Sequence, residues 1–371
     1  MRQSARKWLA AAENQFVRQT PQLDVDLILC HVLGVSRTWL FLHNEDILTT
    51  EQEEAFESAL ERRLSGLPVA YIIGEKEFYG RTFFVTQDVL IPKPDTELLV
   101  EKAVAYAKRV MGASSDAGRQ FRFADICAGS GCIAISVLAE LLTAFGADCD
   151  VRCDAGDSSF GASRGCAGDG FARIHADATD ISSAALAVAR KNAESLLGGA
   201  ERSRLGAASG VIQFFQGDLC APLNQTKYDM VLSNPPYVPA AVTDELLKDG
   251  RGEPRMALDG DTDSAVVGAL SGDAAKTHTG VLSGDAARVG TACAESRGFQ
   301  AASRETGDGL AIIRRLIPQV KEILLPGGAF FMETGEYNAE KAAEYLSKCG
   351  FTDIVIHRDL AGQLRLVESH L

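Results

Sequence analysis

The first fifth of the chain carries apolar residues at helical spacing. Between Phe56 and Leu64 an apolar residue recurs every fourth position, so these side chains would share one face of a helix. Thr50 followed by Glu53 forms a capping-box pattern, which predicts that this helix begins directly after Thr50. The pattern predicts a small all-helical domain over residues 1–76.

The apolar period changes at the end of that domain. β-forming residues over 78–85 and 89–91 surround turn residues, a pattern that predicts a hairpin. Two prolines follow, and Thr96 is in position to cap a helix from Glu97 to Arg109. Residues 77–97 are therefore predicted to form a β-hairpin linker between two domains.

Strands and helices then alternate through residues 98–371, which predicts an α/β domain built on a doubly wound, Rossmann-like parallel sheet. Because the carboxyl ends of parallel strands meet at one edge, a ligand site is predicted there. The first four strands are predicted at 121–126, 174–180, 211–218 and 227–233, with helices at Cys132–Leu142 and Ser183–Leu197. Later come a helix from Leu310 to Leu324, a turn at 326–328, a strand from Ala329 to Glu333, a helix from Ala339 to Lys348 and a final antiparallel hairpin.

Two stretches interrupt this alternation, at about residues 146–171 and 261–307. Both are rich in small and polar residues, and the second contains a near-repeat, since 269–276 resembles 281–288. Such segments have little apolar bulk to offset the entropy of ordering. We expect both to be flexible surface insertions.

The fourth predicted strand runs into Asn234-Pro235-Pro236-Tyr237. The prolines have no N–H to donate and fix their own φ, so the strand must stop at a stiff corner. The Asn234 side-chain oxygen and the Pro235 carbonyl are expected to accept hydrogen bonds there, with the Tyr237 ring as a flat wall. These groups fit a planar ligand with two N–H donors, such as an amide, an exocyclic amine of a base or a guanidinium. A proline-rich turn without chemistry is the alternative.

A glycine-containing turn at residues 127–131 joins the first strand to its helix. The turn lacks the three spaced glycines of a dinucleotide site, and no Lys-Ser/Thr pair follows as a phosphate loop requires. It therefore favours a nucleoside over a pyrophosphate. Asp180 ends the second strand, where an acidic side chain accepts both hydroxyls of a ribose, and Asp218 ends the third.

Composition narrows the class of protein. The 371-residue chain is 46% hydrophobic and 23% charged, as in soluble globular proteins, and its net charge of −13 argues against sequence-independent binding of a nucleic-acid backbone. No apolar run approaches membrane-spanning length and no secretion signal is evident, which predicts a cytoplasmic protein. Nine cysteines suit reduced thiols. Cys149, Cys153 and Cys166 lack a fourth ligand nearby, so no metal site is predicted.

Several segments together carry a family resemblance. In order they are Pro68–Gly74, Glu77–Gly80, Leu90–Glu97, Asp125–Gly131, Asp180–Ser182, Asn234–Tyr237, Glu253-Pro254, Ala257–Gly260 and Asp308–Leu310. In these residues the chain resembles the release-factor glutamine methyltransferases, which are class I S-adenosylmethionine-dependent enzymes. The Asn-Pro-Pro-Tyr motif alone is shared with adenine and guanine amino-methyltransferases, whereas the segments between 68 and 97 are more specific. The resemblance implies methylation of the glutamine in the Gly-Gly-Gln loop of a peptide chain release factor.

The resemblance also implies roles for single residues. It implies that S-adenosylmethionine is wrapped by Cys127, Ala128, Gly129, Ser130 and Gly131, with its ribose on Asp180, its adenine by Asp218 and Leu219, and Asn234 beside it. Asn234, Pro235, Pro236 and Tyr237 would hold the glutamine amide, with Asn234, Pro235 and Tyr237 acting in catalysis. The helical domain would dock the release factor, and the enzyme is expected to be a monomer. Departures from the family pattern are Cys127 for a glycine, Lys93 for an arginine and Leu219 for an aromatic residue of some members.

Two other functions compete with this interpretation. One is methylation of an adenine or guanine amine in nucleic acid through the same corner, against which stand the acidic balance and the absence of an aromatic and basic stripe. The other is a non-catalytic protein that keeps the S-adenosylmethionine-binding fold, which Cys127 and the two insertions suggest. Incubation with a labelled donor and either a release factor or nucleic acid distinguishes them.

Overall fold

The computed structural model describes most of the chain. It covers residues 21–43, 45–113, 119–146, 174–197, 212–223, 225–248, 252–262 and 307–371. Of the insertions predicted at 146–171 and 261–307, only residues 146, 261, 262 and 307 belong to the described residues. The first 20 residues and the three cysteines considered as metal ligands also lie outside them.

Up to Gly74 the described residues of the predicted N-terminal domain form helices and their connections, whereas Glu75 and Lys76 already belong to the strand that follows. Thr49, rather than Thr50, caps the longest of these helices, since its Oγ1 accepts a hydrogen bond from Gln52 N at 3.3 Å while its own N donates to Gln52 Oε1 at 3.0 Å. The predicted capping box was thus one residue too late, because Gln52 takes the part assigned to Glu53. The helices are α1 (Pro21–Leu33), α2 (Arg37–Leu42), α3 (Thr50–Leu64) and α4 (Val69–Ile73).

A two-stranded hairpin follows, formed by β1 (Glu75–Phe78) and β2 (Arg81–Phe84). Residues 89–91, predicted to be β-forming, are not a strand. The reason is local packing, because Val89 is buried and its carbonyl accepts a hydrogen bond from the Tyr71 hydroxyl of α4 at 2.6 Å. The next helix, α5 (Glu97–Ala113), begins at the predicted residue and ends four residues later than predicted.

Seven strands form one sheet, which confirms the predicted doubly wound α/β class. The strand order is β5-β4-β3-β6-β7-β9-β8. Strands β3 to β7 pair in parallel, and β9 lies antiparallel between β7 and β8. The strands are β3 (Phe121–Ile126), β4 (Ile174–Asp180), β5 (Ile212–Gln216), β6 (Tyr228–Ser233), β7 (Leu324–Glu333), β8 (Thr352–Arg358) and β9 (Leu364–His370).

Strand β7 begins five residues earlier than predicted. Tyr228 of β6 pairs with Leu324, but Met230 pairs with Ala329, so β7 contains a bulge between these two contacts. The predicted turn at residues 326–328 is this bulge. The glycines and proline disturb the ladder locally without ending the strand, because pairing resumes on the far side.

Helices cover both faces of the sheet. On one face α5 and α6 (Cys132–Gly146) bury Val100 and Leu138 against Phe331, while on the other α9 (Ala311–Ile323) and α10 (Ala339–Lys348) bury Leu316 and Leu346. Complete burial of such side chains stabilises the fold by about 1.5–3 kcal/mol each. The remaining helices are α7 (Ser183–Leu196) and α8 (Ala240–Lys248). None of the described helices is both long and apolar enough to cross a membrane.

Candidate functional site

The parallel strands end at one edge of the sheet, where a cavity brings most of the predicted site residues together. Of these residues, the cavity is lined by Cys127, Ala128, Gly129, Ser130, Asp180, Asp218, Leu219, Asn234 and Pro236. Three other predicted residues, Gly131, Pro235 and Tyr237, do not line it. Further lining residues that sequence reasoning did not assign to the site include Lys93, Thr96, Thr179, Met256 and Arg315.

The turn after β3 has an uncommon backbone. Cys127, Gly129 and Gly131 have φ values of +63°, +54° and +76°. This left-handed region costs an L-residue other than glycine roughly 1–2 kcal/mol, so Cys127 is strained where a glycine would not be. The turn is held in place because Ala128 N donates to the Thr179 carbonyl of β4 at 2.9 Å.

Gly129 and Gly131 serve different purposes in this turn. A side chain at Gly129 would meet no atom within 4 Å, so its backbone is open to a ligand. A Cβ at Gly131 would lie 3.1 Å from the Ala189 Cβ of α7 and 3.0 Å from Ile135 Cδ1. Gly131 therefore allows α7 to pack closely against the turn. Because Gly131 faces this packing, it does not line the cavity.

Asp180 supports the same turn from the end of β4. Its Oδ2 accepts a hydrogen bond from Gly129 N at 2.9 Å, and its Oδ1 accepts one from Ser182 N at 2.9 Å. Burial raises the pKa of Asp180, and these backbone hydrogen bonds oppose the rise. Each carboxylate oxygen keeps a lone pair for a ligand in the cavity.

Asp125 lies beneath the turn and is completely buried. Its Oδ2 accepts a hydrogen bond from Ala134 N at 3.1 Å, and its Oδ1 has no partner among the described residues. Burial raises the pKa of Asp125 to about 8, with a further contribution from the nearby Asp180. The side chain is therefore mostly protonated at pH 7.

Asp218 and Leu219 border the cavity beyond β5. Asp218 forms an ion pair with Arg315 of α9, which shares the cavity wall. Leu219 has a φ of +52°, and its carbonyl accepts a hydrogen bond from Thr179 Oγ1 at 2.9 Å. Arg315 and Thr179 fix these two predicted cofactor residues from neighbouring elements.

The Asn-Pro-Pro-Tyr corner follows β6 as predicted. Asn234 Nδ2 donates to Thr96 Oγ1 at 3.3 Å, which leaves the amide oxygen as the acceptor end of the Asn234 side chain. Pro235 and Pro236 are buried. The Tyr237 hydroxyl donates to Glu333 Oε1 at 3.0 Å. This hydrogen bond anchors the Tyr237 ring to the end of β7, and its part as a flat wall beside an amide stays a prediction.

The segments on either side of the second insertion brace this corner. Val238 N donates to the Leu258 carbonyl at 2.9 Å, and Gly260 N donates to the Val238 carbonyl at 2.9 Å. A Cβ at Gly309 would lie only 2.2 Å from the Tyr237 carbonyl oxygen, so this close approach requires glycine.

Asp261 joins the segments that lie on either side of the second insertion. Its Oδ1 accepts a hydrogen bond from Gly309 N at 3.0 Å, and its Oδ2 accepts one from Ala240 N at 3.1 Å. One side chain therefore connects the last residues before the second insertion, the first residues after it and the start of α8.

Charged groups also meet at the rim of the cavity. Lys93 Nζ lies 2.9 Å from Glu253 Oε1, and the Glu253 side chain is only 4% exposed. The lysine that departs from the family's arginine thus keeps a carboxylate partner. Within the described ranges, no group of three or more His, Cys, Asp or Glu side chains is placed to hold a metal ion.

Comparison with known proteins identifies the family. A family model described as the PrmC N-terminal domain matches residues 2–74. A release factor glutamine methyltransferase of Bordetella pertussis is 32% identical over 352 residues, covering 95% of each chain. The proteins of the same name from Coxiella burnetii and Chlorobaculum tepidum are 29% and 36% identical, covering 95% and 64% of this chain and 92% and 68% of their own. Identity of this extent across nearly the whole sequence shows that the chain belongs to the release factor glutamine methyltransferase family.

Proposed function

We propose that this protein transfers a methyl group from S-adenosylmethionine to the side-chain amide nitrogen of the glutamine in the Gly-Gly-Gln loop of a peptide chain release factor. The observation that carries this proposal is the orientation of Asn234, whose nitrogen is bonded to Thr96 and whose oxygen is left as an acceptor beside the cavity. Membership of the family supports the substrate class.

The residues of the cavity fit the proposed cofactor. Gly129 offers backbone that a ligand can approach, and Asp180 can accept the two ribose hydroxyls. Asp218 and Leu219 would lie along the adenine. When bound, S-adenosylmethionine supplies an electrophilic methyl group on a positively charged sulfur.

Asn234 and Pro235 would hold the glutamine amide. In this arrangement Asn234 Oδ1 and the Pro235 carbonyl accept its two N–H bonds, which directs one face of the amide nitrogen toward the methyl group. Because the corner contains no side chain suited to act as a general base, the amide proton leaves to solvent during or after transfer. Positioning then dominates, since it can contribute about 7–11 kcal/mol while one hydrogen bond contributes roughly 0.5–1.5 kcal/mol.

We further propose the division into residues 1–76, 77–97 and 98–371, with the helical part docking the release factor. The match of residues 2–74 to the PrmC N-terminal domain supports this division, and so does the separate apolar cluster around Ile28, Phe56 and Leu60. The enzyme would act as a monomer in the cytoplasm without direct contact to nucleic acid.

The decisive test is the change Asn234→Ala. We expect the rate of glutamine methylation to fall roughly 10²-fold or more, as when a group that stabilises developing charge is lost. Affinity for the cofactor, measured by calorimetry, should stay within about threefold, because Asp180 and the glycine turn remain.

Mass spectrometry of the Gly-Gly-Gln peptide reports the methylation. Incubation of the wild-type enzyme with RNA or DNA and labelled donor serves as the control for base methylation. Transfer to nucleic acid in place of the release factor, or a near wild-type rate from Asn234→Ala, would contradict the proposal.

A further inference from the structure

Thr96 lies between the corner and the end of β7. It is 2% exposed and is the last residue of a short 3-10 turn, Pro94–Thr96, that leads into α5. Its Oγ1 accepts the hydrogen bond from Asn234 Nδ2. A hydroxyl carries one hydrogen, so the hydrogen of Thr96 is directed to a second acceptor.

Glu333 is the candidate for that acceptor. This side chain ends β7, is 2% exposed and already accepts the Tyr237 hydroxyl through Oε1. Its Oε2 is buried and has no hydrogen bond of standard geometry among the described residues, so it is available to the Thr96 hydrogen. Burial raises the pKa of Glu333, while hydrogen bonding from the Thr96 and Tyr237 hydroxyls opposes the rise.

These contacts have a direction. When Glu333 is ionised it can only accept hydrogen bonds, and it then makes Thr96 a donor toward it. Thr96 Oγ1 can then only accept on its other side, and Asn234 must present its nitrogen there. The amide oxygen of Asn234 is thereby turned toward the ligand. If the Asn234 amide were rotated by 180°, its NH2 group would face the NH2 group of the substrate glutamine, and two hydrogen-bond donors would oppose each other.

We propose that Thr96 and Glu333 are positioning residues for the methylation, which set the orientation of the Asn234 amide through a directed chain of hydrogen bonds. The same carboxylate holds Tyr237, so Glu333 fixes both ends of the Asn-Pro-Pro-Tyr corner. This inference rests on the proposed function, because the orientation matters only for a substrate that donates N–H groups.

The test is the change Thr96→Val, which keeps the shape of the side chain and removes its hydroxyl. We expect kcat to fall about tenfold, equivalent to about 1.4 kcal/mol, with an unchanged dissociation constant for S-adenosylmethionine. Thr96→Ser should restore most of kcat because it restores the hydroxyl. Thr243→Val, which removes an equally buried hydroxyl bonded to the Pro239 carbonyl of its own helical turn, should retain the wild-type kcat.

A double-mutant cycle separates positioning from general support of the fold. In an Asn234→Ala background, Thr96→Val should cause no further loss of the single-turnover rate, because no amide remains to be oriented. Glu333→Gln gives an independent variant if Thr96→Val does not fold. Its amide can donate to Thr96 and so reverse the chain, and we expect kcat to fall more than tenfold.

The inference is overturned if Thr96→Val keeps kcat within twofold, if Thr96→Ser fails to rescue, or if the loss is equal in both backgrounds. A wild-type enzyme that leaves the release-factor glutamine unmethylated would instead refute the proposed function itself. The two failures are therefore distinct.

Discussion

Burial of the single residue Asp125 makes the stability of the native state depend on pH. The carboxyl group is inaccessible to water, and Ala134 N and the neighbouring Asp180 are the groups that act on its charge besides burial. A protonated acid leaves less uncompensated negative charge beneath the turn at residues 127–131, which the Asp180 carboxylate already holds. Stability should therefore depend on pH through this one side chain.

We predict that Asp125→Asn gains stability relative to wild type as pH rises. The native pKa is about 8 and the unfolded value is 3.8, so the native state binds more protons between these values and the free energy of unfolding falls across this window. The variant lacks this loss. The difference between variant and wild type should grow by up to about 1.4 kcal/mol per pH unit.

Urea unfolding between pH 5 and pH 8 measures this difference. Glu336→Gln, at an exposed carboxylate, is the control and should show no such trend. A difference between Asp125→Asn and wild type that stays flat with pH would contradict the assignment of a protonated native Asp125.

Individual residues of the site could be predicted from the sequence where they lie at the end of a strand. Asp180 and Asn234 follow apolar strands directly, and the structure places both at the cavity. Thr96 and Arg315 come from a turn and a helix that meet the site only in the folded chain, so no local pattern marks their position. Glu333 ends a strand like the others and could have been found by the same reasoning.

At the scale of elements, the corner after β6 depends on close contact between backbones. Gly260 and Gly309 approach each other and Tyr237 at distances that leave no room for a side chain. The segments that surround the second insertion thus act as a buttress for the Asn-Pro-Pro-Tyr corner.

We predict that Gly309→Ala displaces this corner. The new Cβ would lie 2.2 Å from the Tyr237 carbonyl oxygen, and overpacking of this kind typically costs about 1–3 kcal/mol. Methylation should fall at least tenfold, since misplacement of reacting groups by about 1 Å can cost 10²-fold. Initial rates and urea midpoints measure the two effects.

Gly307→Ala is the matched control for that change. Its φ of +107° imposes backbone strain on alanine, but no atom lies within 4 Å of the new Cβ. Gly307→Ala should lose some stability and keep the methylation rate of the folded enzyme. Equal loss of activity in both variants would mean that strain, rather than the clash with Tyr237, explains the effect.

Element boundaries were predictable where side chains make local contacts. Helix α10 spans the predicted residues because its apolar period and its ends are encoded within it. Residues 326–328 predict a turn but form a bulge in β7, because glycine and proline indicate an interruption and do not indicate whether strand pairing resumes after it. Thr49 and Gln52 were missed because two overlapping capping patterns stand side by side.

At the scale of the molecule, Asn192 of α7 connects the hairpin to the turn at residues 127–131. It is 1% exposed, its Oδ1 accepts Phe84 N at 2.7 Å, and its Nδ2 donates to the carbonyls of Phe84 at 3.0 Å and Ser130 at 2.9 Å. The linker that follows the helical domain is therefore bonded to the turn that borders the cavity.

We predict that Asn192→Leu lowers the free energy of unfolding by about 2–4 kcal/mol, because the buried Ser130 carbonyl and two partly buried backbone groups of Phe84 lose their partner, and the loss of a partner costs about 1–3 kcal/mol for a buried group and less for a partly buried one. Affinity for S-adenosylmethionine should fall in parallel, since Ser130 belongs to the turn. Urea unfolding and calorimetry measure these effects. Loss of stability with unchanged affinity would show that the link to Ser130 does not reach the cofactor site.

The architecture was predictable because alternating strands and helices leave few possible sheets. The parallel order of β3 to β6, and hence the position of the cavity, follows from that alternation. The contacts of Asn192 were not predictable, since they join residues 62 and 108 positions apart. Buried polar links of this kind depend on the assembled fold rather than on any local pattern.

Asp261 has a consequence for how the gene can change. Because its two oxygens hold Gly309 N and Ala240 N together, the described segment that ends at residue 262 and the one that begins at residue 307 meet at nearly the same point. Lengthening a flexible connection between joined ends costs only about 0.6 kcal/mol for each doubling. Insertions and deletions between residues 262 and 307 are therefore expected to have little effect on the Asn-Pro-Pro-Tyr corner, and a reporter domain could be grafted at the same position.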